Sequence, residues 1–132
     1  MEPGYLVEFF EEKNILVGVV LDLKGDRLQV VTSTNRELTL APKRVLHASP
    51  SGRRGDLSRQ EWLKLLQETN QRREALKKDI NLREVWELLA EEGKALPVAE
   101  MAELWFGAAA PDQVAAMGRV LHEDRFLFKH KD

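Results

Sequence analysis

Hydrophobic residues in the first 47 positions recur in short runs that are typical of β-strands. Residues 15–21 are almost continuously apolar and β-branched, which favours a strand buried on both faces. Turn-forming residues such as Gly25 and Asn35 separate the runs. The pattern predicts a meander of strands at residues 5–10, 15–21, 28–32 and 38–40, with a short fifth segment at 45–46.

A meander this small has two edge strands that need protection from pairing with other chains. Closure of the sheet gives that protection, so we expect a small SH3-like β barrel over residues 1–48. Ser, Pro, Gly and Arg fill the stretch from Ser49 to Gly55, which offers no apolar side chain for packing. We therefore predict a linker at residues 49–57, with the domain boundary inside it.

Helical periodicity begins directly after this linker. Ser58 and Glu61 have the spacing of a capping box, in which each residue's side chain binds the other's backbone amide. An apolar stripe from Trp62 to Ile80 then predicts one long helix. Asn81 followed by Glu84 predicts the start of the next helix in the same way.

Glycine and proline bound the remaining helices. Gly93 is expected to end the second helix and Gly107 the third, because glycine adopts left-handed backbone angles at little cost. Pro97 is expected in the first turn of the third helix, and Pro111 opens the fourth. Gly118 lies inside that fourth helix, where we expect the close approach of a neighbouring backbone to compensate for it.

The last residues, from 126 to 129, read as a strand. Three short helices followed by a strand are typical of a winged helix, and here the second strand of the wing is missing. We therefore predict an α+β chain in which the barrel is followed, over residues 58–132, by a long helix and a winged-helix-like domain with a truncated wing. The chain is expected to be the front piece of a larger protein.

Charge is distributed unevenly along the chain, whose net charge is −2. Residues 51–80 carry eight basic and five acidic side chains, a net charge of +3, whereas residues 81–132 carry six and ten, a net charge of −4. The middle third alone has the basic character of a nucleic-acid binder, although a solvated helix face accounts for it equally well. No apolar run is long enough to cross a membrane, and the absence of cysteine fits a reducing cytoplasm.

The residues of this chain predict no catalytic centre and no metal site. His47, His122 and His130 have no second ligand at metal-binding spacing, and the paired acids fall at turns and helix ends. No phosphate loop and no nucleophile elbow is present. The three tryptophans all lie on apolar faces and are expected in the core.

The distribution of charged residues bears on two hypotheses, binding of duplex DNA by the fourth helix and binding of RNA by the basic stretch. The fourth helix, which a winged helix places in the major groove, carries three acids and one base, Arg119, at residues 111–124 (His122 counted neutral). This composition disfavours duplex DNA, because basic side chains drive binding to phosphates. The basic stretch around the linker and on the long helix is better suited to RNA; its candidate residues are Lys43, Arg44, Arg53, Arg54, Arg59, Arg72, Arg73, Lys77 and Lys78.

Two groups of motifs resemble the amino-terminal, non-catalytic part of bacterial ribonuclease II-like exoribonucleases of the RNB superfamily. The motifs are mostly structural ones. They lie at residues 4–10, 18–20 and 40–47 in the first half, and at 102–107, 115–116, 121 and 124–129 in the second.

The resemblance implies that the full-length protein is a hydrolase that degrades RNA from its 3′ end with Mg²⁺. No position of this chain matches the family's catalytic aspartate cluster, so no catalytic residue and no cofactor is assigned here. The resemblance also implies two partners, single-stranded RNA, bound weakly by this piece alone, and the missing catalytic domain. The chain departs from the common family pattern of leading cold-shock domains and lacks their aromatic stacking motif.

We therefore expect an accessory region that guides RNA or packs on the catalytic domain. Two alternatives remain open. The first is a DNA-binding transcription regulator that uses Arg119. The second is an interaction module that docks a partner through the strand at residues 126–129.

Overall fold

The computed structural model describes residues 2–11, 14–53, 57–93 and 96–123. The chain divides into two compact units, Met1–Gln71 and Arg72–Asp132. The division falls inside the long helix predicted after Ser58, which runs from Arg59 to Lys78 and is named α1. Each unit is described by itself.

The first unit contains one antiparallel sheet of five strands. Their order in the sheet is β4-β3-β2-β1-β5, and each ladder joins antiparallel neighbours. All four predicted strands are confirmed, and the fifth is longer than expected. The strands are β1 (Tyr5–Glu11), β2 (Asn14–Lys24), β3 (Arg27–Thr32), β4 (Glu37–Leu40) and β5 (Val45–Pro50).

The expected closure of this sheet into an SH3-like barrel is not confirmed. Among the described residues no ladder joins β4 to β5, so these two strands form the edges of an open sheet. β4 has only four residues, and the 3₁₀ helix Pro42–Arg44 separates it from β5. The backbone groups on the outer side of β4 therefore have no strand of the described chain beside them.

Both faces of the sheet carry apolar cores, which confirms the two-sided burial predicted for residues 15–21. Val19 packs on one face and Val20 on the other, because successive residues of a strand point to opposite sides. The first face is covered by Trp62 and Leu66 of α1, which are 1% and 0% exposed. The second face is formed by Val7, Phe9, Val20, Leu28, Val30 and Leu40.

The capping box at the start of α1 is confirmed. The amide of Ser58 donates to Glu61 Oε1 at 3.0 Å, and the amide of Glu61 donates to Ser58 Oγ at 3.2 Å. Ser49 and Pro50, which we predicted to begin the linker, complete β5. The role of residues 49–57 as a linker between domains stays a prediction.

The second unit contains the three predicted short helices: α2 (Leu82–Glu92), α3 (Val98–Phe106) and α4 (Pro111–Glu123). Their predicted ends are confirmed. The side chain of Asn81 accepts a hydrogen bond from the amide of Glu84, and Gly93 and Gly107 have φ angles of 70° and 82°. Pro97 precedes the first turn of α3 as its N-cap, one position earlier than expected.

The core of this unit lies between α2, α3 and α4 and is centred on Val85, Ala102 and Met117. Trp86 and Trp105 pack against it while remaining partly exposed, and Trp105 Nε1 donates to the carbonyl oxygen of Asp79 at 3.1 Å.

Our explanation of Gly118 was wrong. Among the residues that the structure describes, a Cβ at this position would meet only Val98 Cγ1, at 3.8 Å, and no backbone atom within 4 Å.

The wing strand predicted at residues 126–129 lies outside the described residues and stays a prediction. None of the helices in the described part of the chain is both long enough and apolar enough to span a membrane.

Candidate nucleic-acid interface

The predicted basic residues of the first unit fall into two groups. Lys43 and Arg44 lie side by side in the 3₁₀ helix before β5, and both are exposed. Arg44 Nη2 donates to the carbonyl oxygen of Phe10 at 3.1 Å, which fixes its guanidinium at the end of β1. Arg53 and Arg59 belong to the other group, beyond the far end of β5, which spans six residues or roughly 20 Å of extended chain.

Arg53 and Arg59 flank the start of α1. Arg59 Nη2 lies 2.9 Å from Glu37 Oε2, and its Nη1 donates to Asn35 Oδ1 at 2.9 Å. Both charged side chains of this ion pair are more than 40% exposed, so the pair adds little stability and Arg59 remains accessible to a ligand.

Arg53 is close enough to the start of α1 for its charge to act on the pKa of Glu61. The hydrogen bonds with Ser58 are the main cause that holds the pKa of Glu61 below its ordinary value, and the charge of Arg53 adds to them. Arg53 is exposed, and Arg54 lies outside the described residues.

The basic residues of α1 in the second unit have a different environment, because α4 supplies them with acidic partners. Arg72 Nε and Arg73 Nε lie 3.0 and 2.9 Å from the two carboxylate oxygens of Asp112. Lys77 Nζ lies 2.7 Å from Glu123 Oε2 and 3.1 Å from Glu74 Oε2.

A buried arginine of α4 completes this set of ion pairs. Arg119 Nη1 lies 2.9 Å from Glu74 Oε2, and its side chain is only 1% exposed. Arg73 is buried to the same extent. Each helix therefore contributes one buried guanidinium to the pairs, and α1 supplies one carboxylate (Glu74) while α4 supplies two (Asp112 and Glu123).

The pKa values of these groups follow from their partners. Burial alone would raise the pKa of Asp112, but the hydrogen bonds from Arg73 and Arg72 outweigh it and hold the pKa below its ordinary value of 3.8. Burial also acts to raise the pKa of Glu74, and the hydrogen bonds from Arg119 and Lys77 lower it below 4.5. For Lys77, burial acts to lower the pKa, but the bonds to Glu123 and Glu74 raise it above 10.5.

The predicted site residues of α1 differ in how accessible their charges are to a ligand. Arg73 is enclosed and bound to Asp112, so we correct its assignment from RNA contact to structural ion pair. Arg72 and Lys77 are held by acids of α4, although Arg72 is 56% exposed. Lys78 is exposed at the end of α1.

Sequence reasoning found these basic residues but missed their partners. Asp112 and Glu123 were counted as charges that disfavour duplex DNA, and Arg119 was assigned to duplex DNA only in the alternative of a DNA-binding regulator. The structure places Arg119 inside an ion pair, where it does not face a groove. The net charges of +3 and −4 in consecutive parts of the chain were a signal that basic residues near the end of α1 pair with acids of α4.

The described residues contain no group of three or more His, Asp or Glu side chains that could hold a metal ion. Within that part of the chain, the arrangement can bind a polyanion through exposed cations of the first unit, and the cations of the second unit mainly bind α4.

Comparisons with known proteins agree with the second-unit fold. Residues 68–132 match the family model described as "Ribonuclease II, winged helix domain". The chain is 31% identical, over 133 aligned residues, to a protein from Synechocystis sp. described as an "uncharacterized ribonuclease". The alignment covers 99% of this chain and 19% of that relative, so the chain spans about a fifth of the relative's length. No solved structure matches the chain significantly.

Proposed function

We propose, on the premise that this chain is a ribonuclease II-like N-terminal region, that it serves as the accessory part of a 3′–5′ exoribonuclease in the cytoplasm. It either guides single-stranded RNA or packs on the catalytic domain of the longer protein. The similarity of nearly the whole chain to a ribonuclease, together with the match to the ribonuclease II winged helix domain, carries this proposal.

The RNA contacts belong to the exposed basic residues. Lys43, Arg44, Arg53 and Arg59 in the first unit are all exposed, as is Lys78 at the end of α1. Such residues bind phosphates without reading the sequence, because the attraction comes from charge and from the release of counterions. Arg54 has the same chemistry in the sequence and is included with them.

A filter-binding titration with a labelled oligouridylate tests the RNA contacts. Arg53→Ala combined with Arg59→Ala, and separately Lys43→Ala combined with Arg44→Ala, should weaken binding. We expect the plot of log affinity against log salt to become shallower by about 0.7 for each phosphate contact that is lost.

Lys24→Ala combined with Arg27→Ala is the matched control. These residues flank the turn between β2 and β3, are exposed, and have no place in the proposed interface. The control removes the same two charges and should leave a near-normal salt dependence. RNA binding that changes equally in the control and in the two test variants would show that net charge, not a located interface, carries the affinity.

The alternative of a DNA-reading regulator is disfavoured by the position of Arg119. Reversing the charge of Arg119 would break its ion pair with Glu74 before it affected any DNA contact, because Arg119 is 1% exposed. A duplex titration with the unaltered chain is therefore the cleaner test, and we expect no preference for a specific duplex at any salt concentration.

A further inference from the structure

The fourth helix, α4, carries one charged stripe and one apolar stripe on opposite sides. Asp112, Arg119 and Glu123 are spaced by seven and four residues, which places them within about 40° of one another around a helix of 3.6 residues per turn. Met117 and Leu121 lie on the opposite side and belong to the core formed with α2 and α3. In an ordinary helix-turn-helix the polar side of this helix faces the major groove.

Here the charged stripe faces the last turns of α1 instead. Every charged member of the stripe has a partner on that helix: Asp112 binds Arg72 and Arg73, Arg119 binds Glu74, and Glu123 binds Lys77. Ala116, which lies on the same side between Asp112 and Arg119, is fully buried. Both sides of α4 are therefore in use within residues 72–123.

We propose that the end of α1, residues 72–77, is a built-in cover over α4, which closes this winged-helix unit to a nucleic-acid duplex. The cover occupies the place that a major groove takes in other proteins with this helix arrangement. It gives Arg73, Glu74 and Lys77 a positioning role that goes beyond the proposed RNA contacts of the first unit.

The charges indicate that the cover is permanent and does not open on binding. The contacts are reciprocal, because each helix supplies both a buried guanidinium and a carboxylate to the other. Removing α1 would expose a stripe with two acids and one arginine, which repels phosphates. Opening would thus lose four ion pairs and produce no surface suited to nucleic acid.

A charge swap between the helices tests whether the pair holds the cover. Glu74→Arg and Arg119→Glu should each lower the melting temperature, because each places two like charges side by side, one of them at the buried position 119. The double variant restores opposite charges at positions 74 and 119. It should recover only part of the loss, because the arginine at position 74 would also stand beside Lys77. Glu87→Arg, an exposed change in the middle of α2, is the control and should have little effect.

If the double variant loses as much stability as the two single variants together, or more, the ion-pair basis of the cover is overturned. If a single variant fails to fold and the double variant folds, the two charges are coupled, which supports the ion-pair basis of the cover.

Cross-linking tests whether the cover stays closed. The chain has no cysteine, so Lys77→Cys combined with Glu123→Cys gives two reactive thiols, which a short bis-maleimide can join. We expect efficient cross-linking of the folded protein and an oligouridylate affinity within about twofold of the untreated variant. The single variant Lys77→Cys, treated in the same way, controls for the reagent.

A cross-linked form that loses tenfold or more of its affinity for RNA or duplex DNA would show that α4 must be uncovered, and would overturn the proposal. If the chain binds no RNA at all, the proposed function fails in its RNA-guiding form. The charge swap and the cross-linking yield still decide whether the cover exists.

Discussion

Gly18, in the middle of β2, is a position where only glycine fits. A Cβ built on it would lie 2.5 Å from Val30 Cγ1 and 2.9 Å from the carbonyl oxygen of Val31. Both atoms belong to β3, which pairs with β2 at this point through Gly18 and Thr32. The carbonyl is part of the backbone ladder and cannot move without disturbing the sheet.

We predict that Gly18→Ala lowers the free energy of unfolding by about 1–3 kcal/mol, the usual cost of overpacking. Gly118→Ala should do the opposite and raise it by up to about 1 kcal/mol, because alanine favours a helix and its Cβ would meet, in the described part of the chain, only Val98 at 3.8 Å. Urea unfolding measures both. Equal effects from the two variants would show that the contact around Gly18 relaxes easily.

At the scale of single elements, the sequence predicted those boundaries that depend on local chemistry. Ser58 with Glu61 and Asn81 with Glu84 bind backbone amides three residues apart, so their spacing alone identifies helix starts. Gly107 ends α3 for an equally local reason, its φ of 82°. The meander was predicted because alternation and turn residues are also local signals.

The sheet's open form and the site's ion pairs were not predictable in this way, because both depend on residues far apart in the chain. Closure of a barrel requires β4 to pair with β5, and no local pattern reports such pairing. Arg73 and Asp112 are separated by 39 residues, and a count of charges cannot assign them to each other. Reading each helix by itself therefore placed Arg73 in an RNA site.

The ion pairs between α1 and α4 predict how stability depends on pH. The pKa values of Asp112 and Glu74 are lower in the folded protein than their ordinary values of 3.8 and 4.5. The unfolded chain therefore takes up protons first as the pH falls. The stabilisation from these two carboxylates is complete above about pH 5.5 and declines from there toward pH 3.

Urea unfolding between pH 7 and pH 3 measures this loss. Asp112→Asn should be less stable than the unaltered chain at pH 7 and should lose less stability on acidification, because the titrating carboxylate is gone. Glu87→Gln removes an exposed acid on α2 and serves as the control. A decline of the same size in Asp112→Asn and in the unaltered chain would place the acid-sensitive groups elsewhere.

At the scale of the whole molecule, basic residues fall into two groups, those that neutralise acids of α4 and those whose side chains are exposed. In residues 72–123 the arginines and the lysine near α4 mainly neutralise acids of that helix. In the first unit Lys43, Arg44 and Arg53 have exposed side chains. The net charge of −2 hides this division, which is why the whole-chain value says little about nucleic-acid binding.

The last prediction concerns catalysis by the chain alone. The described residues hold no group of three carboxylate or imidazole side chains suited to a metal ion, and no position matches the aspartate cluster that the family resemblance implies for catalysis. Two-metal or single-metal hydrolysis of RNA needs such a cluster to orient water and the phosphate. We therefore expect a labelled oligoribonucleotide to stay intact when it is incubated with this chain and Mg²⁺.

Denaturing gel electrophoresis, at protein concentrations that bind the RNA, gives the readout. A mock preparation from cells without the protein controls for contaminating nucleases. Shortening of the RNA that persists through a second purification and follows this chain across the column would contradict the prediction. It would assign hydrolysis to residues that carry no recognised catalytic pattern, and the accessory role would then have to be abandoned.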